Sequence, residues 1–536
     1  MTGPGDVVRL ARTAQRAGLV RFVRPDRLWQ AGAALRRIGT TAAATVTVPA
    51  ALYPDRVAIV DERGPWTYRA LDERSEALAH ALAGLGLEPG STAGVLCRNH
   101  GGALEVLVAL AKGGVHAVLL NTGFAAPQLA SVVANEHVRA LFVDDEFLPL
   151  VARADLGLPI VRTFVEDPDS SLPRVDRLID AHPAPPARVP TPRVHARTVI
   201  LTSGTTGTPK GAPRDTSKAS AGAFALLDVI PYHTDDTMVV AAPLFHAWGL
   251  ANLSVALLLG GTVVLHRHFD PERTLAAVAE HRAQMLVAVP VMLQRILDLP
   301  EATRRHYDTG SLRAVPLSGS AIPGGLPDRF MDAFGDVLYN LYGSTEVGYA
   351  TVASPHDLRA APNTAGRPPA GTEVRILDDT GAPVPTGGRG RIFVRGPLVF
   401  DGYTDGNSKP VIDGAMSTGD VGWVDEHGRL FVAGRDDDMI VSGGENVFPR
   451  EVEVLLEQHP DIDEVAVVGV PDDEFGQRLQ AFVVRRPGAT LDADAVRAHV
   501  RGSLARYKVP RDVEFVDALP RNATGKVLRR ELRPGT

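Results

Sequence analysis

The chain has 536 residues, more than one compact hydrophobic core accommodates, so its length predicts several domains. Hydrophobic residues make up 45% of the sequence and charged residues 22%, which excludes global disorder. The formal net charge of −7 gives no indication of nucleic-acid binding. The single cysteine, Cys97, excludes an intrachain disulfide framework and is typical of a reducing compartment, so we expect a cytoplasmic protein.

Residues 1–44 are predicted to form a basic N-terminal arm. Residues 1–40 hold eight arginines against Asp6 and Asp26, a local charge of +6 that leaves −13 for the other residues. Apolar residues alternate with these arginines in a roughly helical pattern, without the long apolar stretch of a secretory signal. Two interpretations stay open: a helix packed on the body with solvated arginines, or an amphipathic arm that contacts an anionic membrane surface. Arg-rich, acid-poor ends are also typical of transit peptides.

The next part of the chain alternates helical patterns with short apolar strands. Helices are predicted over 74–85, 104–112 and 127–135, and strands over 92–97, 115–120, 140–143, 285–289 and 312–317. Such spacing predicts an α/β fold in which parallel-rich sheets are covered by helices. The Pro-rich stretch 182–193 is expected to be an exposed connection.

A glycine- and hydroxyl-rich segment, LTSGTTGTPKG at residues 201–211, follows the apolar strand 198–201. Its glycines permit tight turns whose N–H groups can face phosphate oxygens, and its hydroxyls and lysine add donors and positive charge. It differs from the usual ATPase loop because Lys210 is followed by Gly211 rather than by Ser or Thr. The candidate phosphate-binding residues are Ser203, Gly204, Thr205, Thr206, Gly207 and Lys210.

This segment resembles the phosphate loop of the acyl-adenylate-forming (AMP-binding) superfamily, which includes acyl-CoA synthetases, luciferases and peptide-synthetase adenylation domains. Further motifs follow in the family's order, so the resemblance covers roughly residues 45–533. It implies ATP, Mg²⁺ and coenzyme A as cofactors or substrates. It also implies cofactor contacts for Thr202, Gly319, Ser320, Gly343 and Asn446.

Residues 247–265 form an uncharged run long enough to span a bilayer. However, Gly260 and Gly261 divide the run into a helix-like part and a β-branched part. We therefore expect a buried helix, a turn and a core strand, and no transmembrane segment.

The octapeptide YNLYGSTE, residues 339–346, resembles the family's Tyr-Gly-x-Thr-Glu motif. The resemblance implies that Tyr342 stacks on adenine and that Thr345 contacts the α-phosphate. It implies that Glu346 holds Mg²⁺ among phosphate oxygens. The chain after about residue 365 becomes rich in short strands and turns, which indicates a β-rich subdomain over about 365–436.

The motifs STGD, residues 417–420, and GR, residues 434–435, resemble the family's ribose-binding motifs. The resemblance implies that Asp420 and Arg435 bind the ribose hydroxyls, since a carboxylate offers two acceptor oxygens to a cis-diol. It implies that Asp437 is the pivot about which the C-terminal domain rotates. Gly443 and Gly444 would let the pantetheine arm of coenzyme A pass close to the backbone.

The segment PRNATGKVLRR, residues 520–530, resembles the family's terminal catalytic-lysine loop. Gly525 gives the loop conformational freedom. The resemblance implies that Lys526 presents its charge to the oxygens of the α-phosphate and the substrate carboxylate. The last hundred residues read as a small mobile α+β domain, so we expect domains at 1–44, 45–436 and 437–536.

The segment PLFHAWG, residues 243–249, bears on the substrate. Amino-acid-activating relatives place an Asp here, whereas this chain has none, so an α-amino acid would bury an unpaired charge. His246 stands where acyl-CoA synthetases have a histidine and is a further catalytic candidate, and Trp248 resembles an aromatic gate but is equally a candidate core residue. With Gly249 and Met292 it is placed in an acyl pocket.

We therefore expect an acyl-CoA synthetase for a medium- or long-chain fatty acid, which forms acyl-AMP and transfers the acyl group to coenzyme A. Two alternatives within the superfamily are an aryl-acid CoA ligase and an adenylating enzyme that loads a carrier-protein phosphopantetheine. A non-catalytic ligand-binding protein is a further alternative.

Overall fold

The computed structural model describes residues 4–182, 188–192, 194–202, 210–214, 219–436, 438–442, 445–472, 476–522 and 525–532. The chain divides into two compact units. Unit 1 comprises Met1–Ala288, Asp298–Pro316 and Pro397–Ser408, and unit 2 comprises Val289–Leu297, Leu317–Gly396 and Lys409–Thr536.

The helices follow one another as α1 (Pro4–Arg16), α2 (Pro25–Ile38), α3 (Ala44–Leu52), α4 (Tyr68–Ala81), α5 (Gly101–Lys112), α6 (Ala126–Asn135), α7 (Leu148–Ala154), α8 (Val175–Ala181), α9 (Ala219–Val229), α10 (Ala247–Leu258), α11 (Pro271–Glu280), α12 (Pro290–Leu297), α13 (Glu301–His306), α14 (Leu326–Phe334), α15 (Pro355–Ala360), α16 (Pro449–Leu456) and α17 (Ala493–Ser503).

The strands are β1 (Val57–Asp61), β2 (Gly64–Thr67), β3 (Thr92–Leu96), β4 (His116–Leu119), β5 (Val138–Val143), β6 (Ile160–Arg162), β7 (Thr198–Thr202), β8 (Lys210–Arg214), β9 (Thr237–Val240), β10 (Thr262–Leu265), β11 (Met285–Val287), β12 (Val315–Leu317), β13 (Leu338–Ser344), β14 (Gly348–Ala353), β15 (Glu373–Leu377), β16 (Gly390–Arg395), β17 (Val411–Ile412), β18 (Ala415–Val424), β19 (Leu430–Arg435), β20 (Ile440–Ser442), β21 (Glu445–Val447), β22 (Ile462–Asp472), β23 (Gly476–Arg485) and β24 (Asp512–Phe515).

Unit 1 contains two parallel-rich sheets. In its described residues the strand orders are β11-β9-β10-β1-β2 and β6-β5-β3-β4-β7-β8. Only the edge strands β2 and β8 pair antiparallel with their neighbours there. One apolar core lies between the second sheet and helices α4 and α5, and another lies against α6 and α7 on the opposite face. The expected α/β class with parallel sheets covered by helices is therefore confirmed.

The predicted helix over 74–85 begins earlier than its apolar pattern indicates. Thr67 is the N-cap of α4, because its hydroxyl accepts a hydrogen bond from the Ala70 N–H. A short 3₁₀ segment over Leu82–Leu85 then completes the predicted range. The run 247–265 is divided as expected into α10 and β10, and no helix in the described residues is long and apolar enough to cross a membrane.

The N-terminal arm forms two helices, α1 and α2, rather than one continuous stripe. Its arginines are not simply solvated. The guanidinium of Arg9 pairs with Asp228, which also accepts a hydrogen bond from Thr13, and Arg21 pairs with Asp235. The arm is thus attached to the rest of unit 1 through polar side chains as well as through buried apolar residues such as Ala31 and Ile38.

Unit 2 combines antiparallel elements with a C-terminal α+β layer. Strands β15, β16, β18 and β17 are neighbours in that order, with β19 on β18, and β13 pairs with β14. The C-terminal sheet has the order β21-β20-β23-β22, with β24 parallel to β23. Helices α16 and α17 pack on one face of it, whereas Leu519, Val527 and Leu532 of the tail pack on the other. This second contact holds the chain on both sides of Lys526.

Candidate active site

Tyr342, Asp420 and Arg435 lie together in unit 2, as the family resemblance implies. The Tyr342 hydroxyl donates a hydrogen bond to a carboxylate oxygen of Asp420. The other carboxylate oxygen lies 3.6 Å from the Arg435 guanidinium. Asp420 and Arg435 are direct partners in the antiparallel pair β18–β19, so the strand register sets their approach.

Two glycines shape the backbone at these residues. A Cβ on Gly343 would lie 1.9 Å from the carbonyl oxygen of Gly348, so no other residue fits the irregular β13–β14 pair. Gly419 has φ +80°, and a Cβ there would press on the Arg435 guanidinium at 3.1 Å. These positions therefore need glycine for Tyr342 and Arg435 to reach Asp420.

Burial and nearby positive charge act in opposite directions on the pKa of Asp420. Burial raises its pKa above the ordinary value, whereas the hydrogen bond from Tyr342 and the charges of Arg435, Lys409 and Lys526 oppose that rise. Burial and the neighbouring Asp420 charge likewise raise the pKa of Tyr342 well above its ordinary value. Tyr342 thus stays a protonated donor at neutral pH.

Glu346 lies in the turn between β13 and β14. Glu346 is buried, and its backbone N–H donates to the hydroxyl of Ser344 over 3.2 Å. Thr345 is half-buried in the same turn. A single buried carboxylate suits a Mg²⁺ ion that takes most of its other ligands from phosphates and water. The donor set of this turn therefore fits the implied metal.

Lys526 occupies a short closed turn. Its backbone N–H donates to the side-chain oxygen of Asn522 over 2.9 Å, and its carbonyl accepts the Asn522 N–H over 2.9 Å. Gly525 has φ +77°, and a Cβ there would lie 2.4 Å from a methyl carbon of Val291. Arg521 and Val527 form a β-bridge that closes the turn.

The electrostatic surroundings of Lys526 include the ribose-motif residues. Partial loss of hydration lowers its pKa, and the Arg435 charge lowers it further, whereas Asp420 opposes the shift. Within the described part of the chain, no carboxylate oxygen lies within 4.0 Å of its Nζ, so its charge is not neutralised by an ion pair. Lys526, Arg435 and Asp420 are thus brought together although 91 residues separate Lys526 from Arg435 in the chain.

The structure describes the two ends of the phosphate-loop motif, which lie on strands β7 and β8. Thr202 ends β7 and pairs in register with Lys210 at the start of β8, so residues 203–209 connect these strands. The Lys210 Nζ lies 3.1 Å from the carboxylate of Asp405, an ion pair that the motif did not predict. Gly211 packs so closely that a Cβ would lie 2.4 Å from a carboxylate oxygen of Glu136.

Several predicted residues lie outside the described part of the structure. They are Ser203, Gly204, Thr205, Thr206, Gly207, Asp437, Gly443 and Gly444. The backbone of Asn446 pairs with Val441 in the β20–β21 hairpin. Gly319 has φ +100°, and the adjacent Ser320 is half-buried.

The catalytic candidate His246 and the acyl-pocket candidates Trp248 and Gly249 lie at the start of α10, whereas the acyl-pocket candidate Met292 lies on α12. His246 precedes α10; its Nε2 is buried without a hydrogen-bond partner in the described residues, and burial lowers its pKa to about 4. Trp248 is buried and donates to the Ala288 carbonyl over 3.1 Å, as a core tryptophan does. A Cβ on Gly249 would lie 2.4 Å from the Pro243 carbonyl oxygen. Met292 is buried on α12 in unit 2.

Sequence patterns gave no indication of Lys409, which lies beside the ribose motif. The Lys409 Nζ donates to the Thr418 carbonyl over 2.8 Å, and the Thr418 hydroxyl accepts the Asp420 N–H over 3.1 Å. Both interactions hold the STGD strand next to Tyr342. The Gly-rich segment before it has no helical or strand periodicity that could have indicated Lys409.

Cys97, His100 and Asp144 form a buried group of metal-ligand types in unit 1. His100 Nδ1 accepts the Ala103 N–H at the start of α5, and Nε2 lies 2.9 Å from Asp144. Both ring nitrogens are therefore occupied by protein hydrogen bonds. These hydrogen bonds have a structural role, and neither ring nitrogen of His100 has a lone pair left for a metal.

Solved structures with the same architecture are adenylate-forming enzymes. The amide bond synthetase McbA from Marinactinospora thermotolerans superposes with a TM-score of 0.81 at 29% identity, covering 94% of this chain and 99% of that chain. A second match is the o-succinylbenzoate CoA synthetase MenE from Bacillus subtilis in complex with its acyl-adenylate. It gives a TM-score of 0.78 at 29% identity and covers 91% of this chain and 97% of that chain. The fold is that of the adenylate-forming enzymes.

The chain belongs to the AMP-binding enzyme family. The family's sequence profile matches residues 46–404, and the profile of the AMP-binding enzyme C-terminal domain matches residues 451–526. The relationship to the acyl-adenylate-forming superfamily, expected from the motifs, is thereby confirmed.

Curated relatives are similar along most of their length. A feruloyl-CoA synthase of Amycolatopsis sp. is 36% identical over 87% of this chain and 93% of its own. An indoleacetate–CoA ligase of Aromatoleum aromaticum is 36% identical over 90% of this chain and 96% of its own. A fatty acid–[acyl-carrier-protein] ligase, ScoC, of Streptomyces coeruleorubidus is 32% identical over 90% and 93%.

Proposed function

We propose that this protein is an AMP-forming acid–CoA ligase whose acid carries an aromatic or other ring. The observation that supports the enzymatic part is the grouping of Asp420 and Arg435 with Lys526 in their electrostatic surroundings, since a carboxylate suited to a diol then has near it a lysine that no ion pair in the described residues neutralises. The similarity to feruloyl-CoA synthase and indoleacetate–CoA ligase supports a ring-bearing acid over the fatty acid expected from the apolar segments.

In the first half-reaction a carboxylate oxygen of the acid attacks the α-phosphorus of ATP. An acyl O–P bond forms, the bond from the α-phosphorus to the bridging oxygen breaks, and pyrophosphate leaves with that electron pair. Asp420 accepts hydrogen bonds from the ribose hydroxyls, while Tyr342 offers its ring to the adenine. Lys526 stabilises the negative charge that develops on the α-phosphate oxygens.

Glu346 is the residue that would hold Mg²⁺, and the ion would neutralise charge on the phosphates when bound. Thr345, in the same turn, donates its hydroxyl to an α-phosphate oxygen. The family resemblance assigns the departing phosphates to the motif that contains Lys210, and Lys210 would exchange its partner Asp405 for a phosphate oxygen.

In the second half-reaction the thiol of coenzyme A attacks the acyl carbon. A C–S bond forms, the C–O bond to AMP breaks, and the thiol loses its proton. This proposal keeps the organisation expected from the sequence, with an arm over 1–44, an AMP-binding domain over 45–436 and a domain over 437–536. The last domain rotates about Asp437, which withdraws Lys526 and brings Gly443 and Gly444 to the adenylate.

A panel of ring-bearing and straight-chain acids, assayed by pyrophosphate release and by thioester formation, tests this function. We expect ferulate-like, arylacetate-like or fused-ring acids to give the highest kcat/KM in both assays. Activity confined to straight-chain acids would refute the assignment of the substrate class. Failure of every acid to release pyrophosphate would refute the enzymatic assignment and favour a ligand-binding protein.

A second candidate is a ligase that loads a fatty acid onto a carrier protein. The similarity to ScoC favours it specifically. The two candidates differ in the acceptor thiol, so incubation with ATP, acid and either free coenzyme A or a phosphopantetheinylated carrier protein distinguishes them. Acyl-AMP that accumulates with coenzyme A and is consumed by the carrier would favour the second candidate.

A further inference from the structure

Exposed apolar side chains are concentrated in the N-terminal arm. Twelve large hydrophobic residues are exposed among the described residues, and eight of them lie between positions 8 and 35. These eight are Val8, Leu10, Leu19, Val20, Phe22, Leu28, Trp29 and Leu35. Phe22 is 89% exposed and Trp29 is 75% exposed. Apolar exposure this dense in one segment distinguishes the arm from the rest of the described surface and makes it a candidate interaction surface.

Helix α2 shows how the exposed residues are arranged. Its buried face carries Ala31 and Ile38, which are one heptad apart. Leu28 and Leu35 are also one heptad apart, so they form an exposed stripe beside that face. Trp29 lies on the outer side, seven residues before Arg36. The outward face of α2 thus combines an aromatic ring, two leucines and a cation.

Polar inward contacts anchor the arm beside its buried Ala31 and Ile38, and they leave the exposed side chains uncovered. Arg9 and Thr13 of α1 bind Asp228, and Arg16 donates to the Leu227 carbonyl over 2.7 Å. Arg37 of α2 lies 3.5 Å from Glu76. Because these contacts hold the helices in place, the outward apolar side chains belong to an ordered surface.

Charge decides which partner this surface suits. The arm carries +6, whereas the rest of the chain carries −13. Arg12 and Arg36 make no ion pair with a carboxylate in the described residues, and Arg16 and Arg27 donate to carbonyls, which leave their charge unneutralised. Two copies meeting through this surface would bring like charges together, whereas an anionic lipid surface neutralises them.

We propose that residues 8–36, here called the arm surface, bind peripherally to an anionic lipid bilayer. Phe22, Leu28 and Trp29 enter the boundary between headgroups and acyl chains, where aromatic and leucine side chains are favourable. Arg12 and Arg36 bind lipid phosphates. The arm lies on the membrane and does not cross it, in line with the helix lengths observed.

Flotation of the full-length protein with vesicles tests the proposal. Vesicles of phosphatidylcholine with about 30% phosphatidylglycerol should carry the protein, and pure phosphatidylcholine vesicles should carry at least about tenfold less. Raising salt to about 0.5 M should release most of the bound protein, since the phosphate contacts are screened. The double variant Phe22→Ser/Trp29→Ser should bind at least about tenfold more weakly. Val411→Ser, at a 54% exposed valine outside the arm, is the matched control and should bind as the wild type does.

The fluorescence of Trp29 gives a second measurement of location. Binding to anionic vesicles should shift the emission to shorter wavelength, and Trp29→Phe should remove that shift while retaining flotation. Equal binding to neutral and anionic vesicles, or binding unaffected by Phe22→Ser/Trp29→Ser, would overturn the proposal. So would light scattering that shows a dimer dissociated by Phe22→Ser/Trp29→Ser, because the surface would then bind a second copy. Pyrophosphate release without vesicles serves as the folding control for every variant.

Discussion

Arg529 donates two hydrogen bonds to the buried carboxylate of Glu453, over 2.6 and 2.8 Å. Glu453 also accepts the Val467 N–H on β22 over 2.9 Å. Arg529 stands three residues after Lys526, so this ion pair ties the end of the lysine turn to the core of the C-terminal sheet. The position of the proposed catalytic charge therefore depends on a residue of α16, 73 positions earlier in the chain.

Glu453→Gln should weaken both stability and adenylation. The half-buried guanidinium of Arg529 loses its closest counter-charge and keeps only Asp438 at 4.0 Å, so the free energy of unfolding should fall by about 2 kcal/mol, measured by denaturation in guanidinium chloride. Pyrophosphate release should fall in kcat more than it changes in KM for ATP. Glu514→Gln, at an exposed carboxylate on β24 that accepts a hydrogen bond from Gln480, is the control and should change either quantity little. Equal effects of the two variants would contradict a positioning role for Glu453.

Lys526→Ala should separate the two half-reactions. Adenylation should fall by about 10²–10³-fold, since one transition-state donor is removed, and thioester formation from synthetic acyl-adenylate should persist. Lys508→Ala removes a lysine that pairs with Glu451 over 2.7 Å and should leave both steps near wild-type rates. If Lys526→Ala slows both steps equally, the proposed role is wrong.

Tyr342→Phe should move the pH dependence of ATP binding. Asp420 accepts ribose hydroxyls best as a carboxylate, so affinity is full above its pKa and is lost as the pH falls through it. The Tyr342 hydroxyl lowers this pKa, and its removal should therefore shift the rise in KM for ATP to higher pH. Asp420→Asn should give a high KM that varies little with pH. Identical profiles for Tyr342→Phe and wild type would contradict the coupling.

Local sequence patterns predicted the helices and strands, but they did not predict contacts between residues that are distant in the chain. Strand and helix periodicity placed β3, β4 and β5 with the helices between them, because each has one or two buried apolar faces. The approach of Tyr342 on β13 to Asp420 on β18 joins residues 78 positions apart, and Arg435 reaches Asp420 through the register of β18 with β19; no local pattern encodes either contact. Lys112 shows the same limit: it ends the predicted helix, yet it is fully buried against Asp72.

Gly525→Ala should disturb the lysine turn through a steric contact. The new Cβ would lie 2.4 Å from Val291 Cγ1 at a backbone φ of +77°. Gly488→Ala shares the positive φ, +83°, but meets no atom within 4 Å, and so isolates the backbone cost of about 1 kcal/mol. Adenylation should fall markedly in Gly525→Ala and stay near the wild-type rate in Gly488→Ala. Equal rates would show that the contact with Val291 is relieved without cost.

His246 should make the fold sensitive to acid. Its pKa in the folded chain is lowered to about 4, below the value of about 6.5 for an unfolded chain, so the unfolded state binds more protons. The contribution to stability is full above about pH 6.5 and is lost as the pH falls towards 4. Between about pH 7 and pH 5, the free energy of unfolding of His246→Leu should therefore fall by about 2 kcal/mol less than that of the wild type. His268→Leu, at an exposed histidine, should follow the wild-type curve.

The closed turn at Asn522–Val527 has a mechanical consequence. Its hydrogen bonds and the apolar contacts of Leu519 and Val527 attach the backbone of Lys526 to the strands beneath it. In the proposed mechanism, a large withdrawal of this backbone from the nucleotide therefore requires β22 and β23 to move with it. A ligand that clamped this sheet would stop the catalytic cycle between its two chemical steps without touching either substrate.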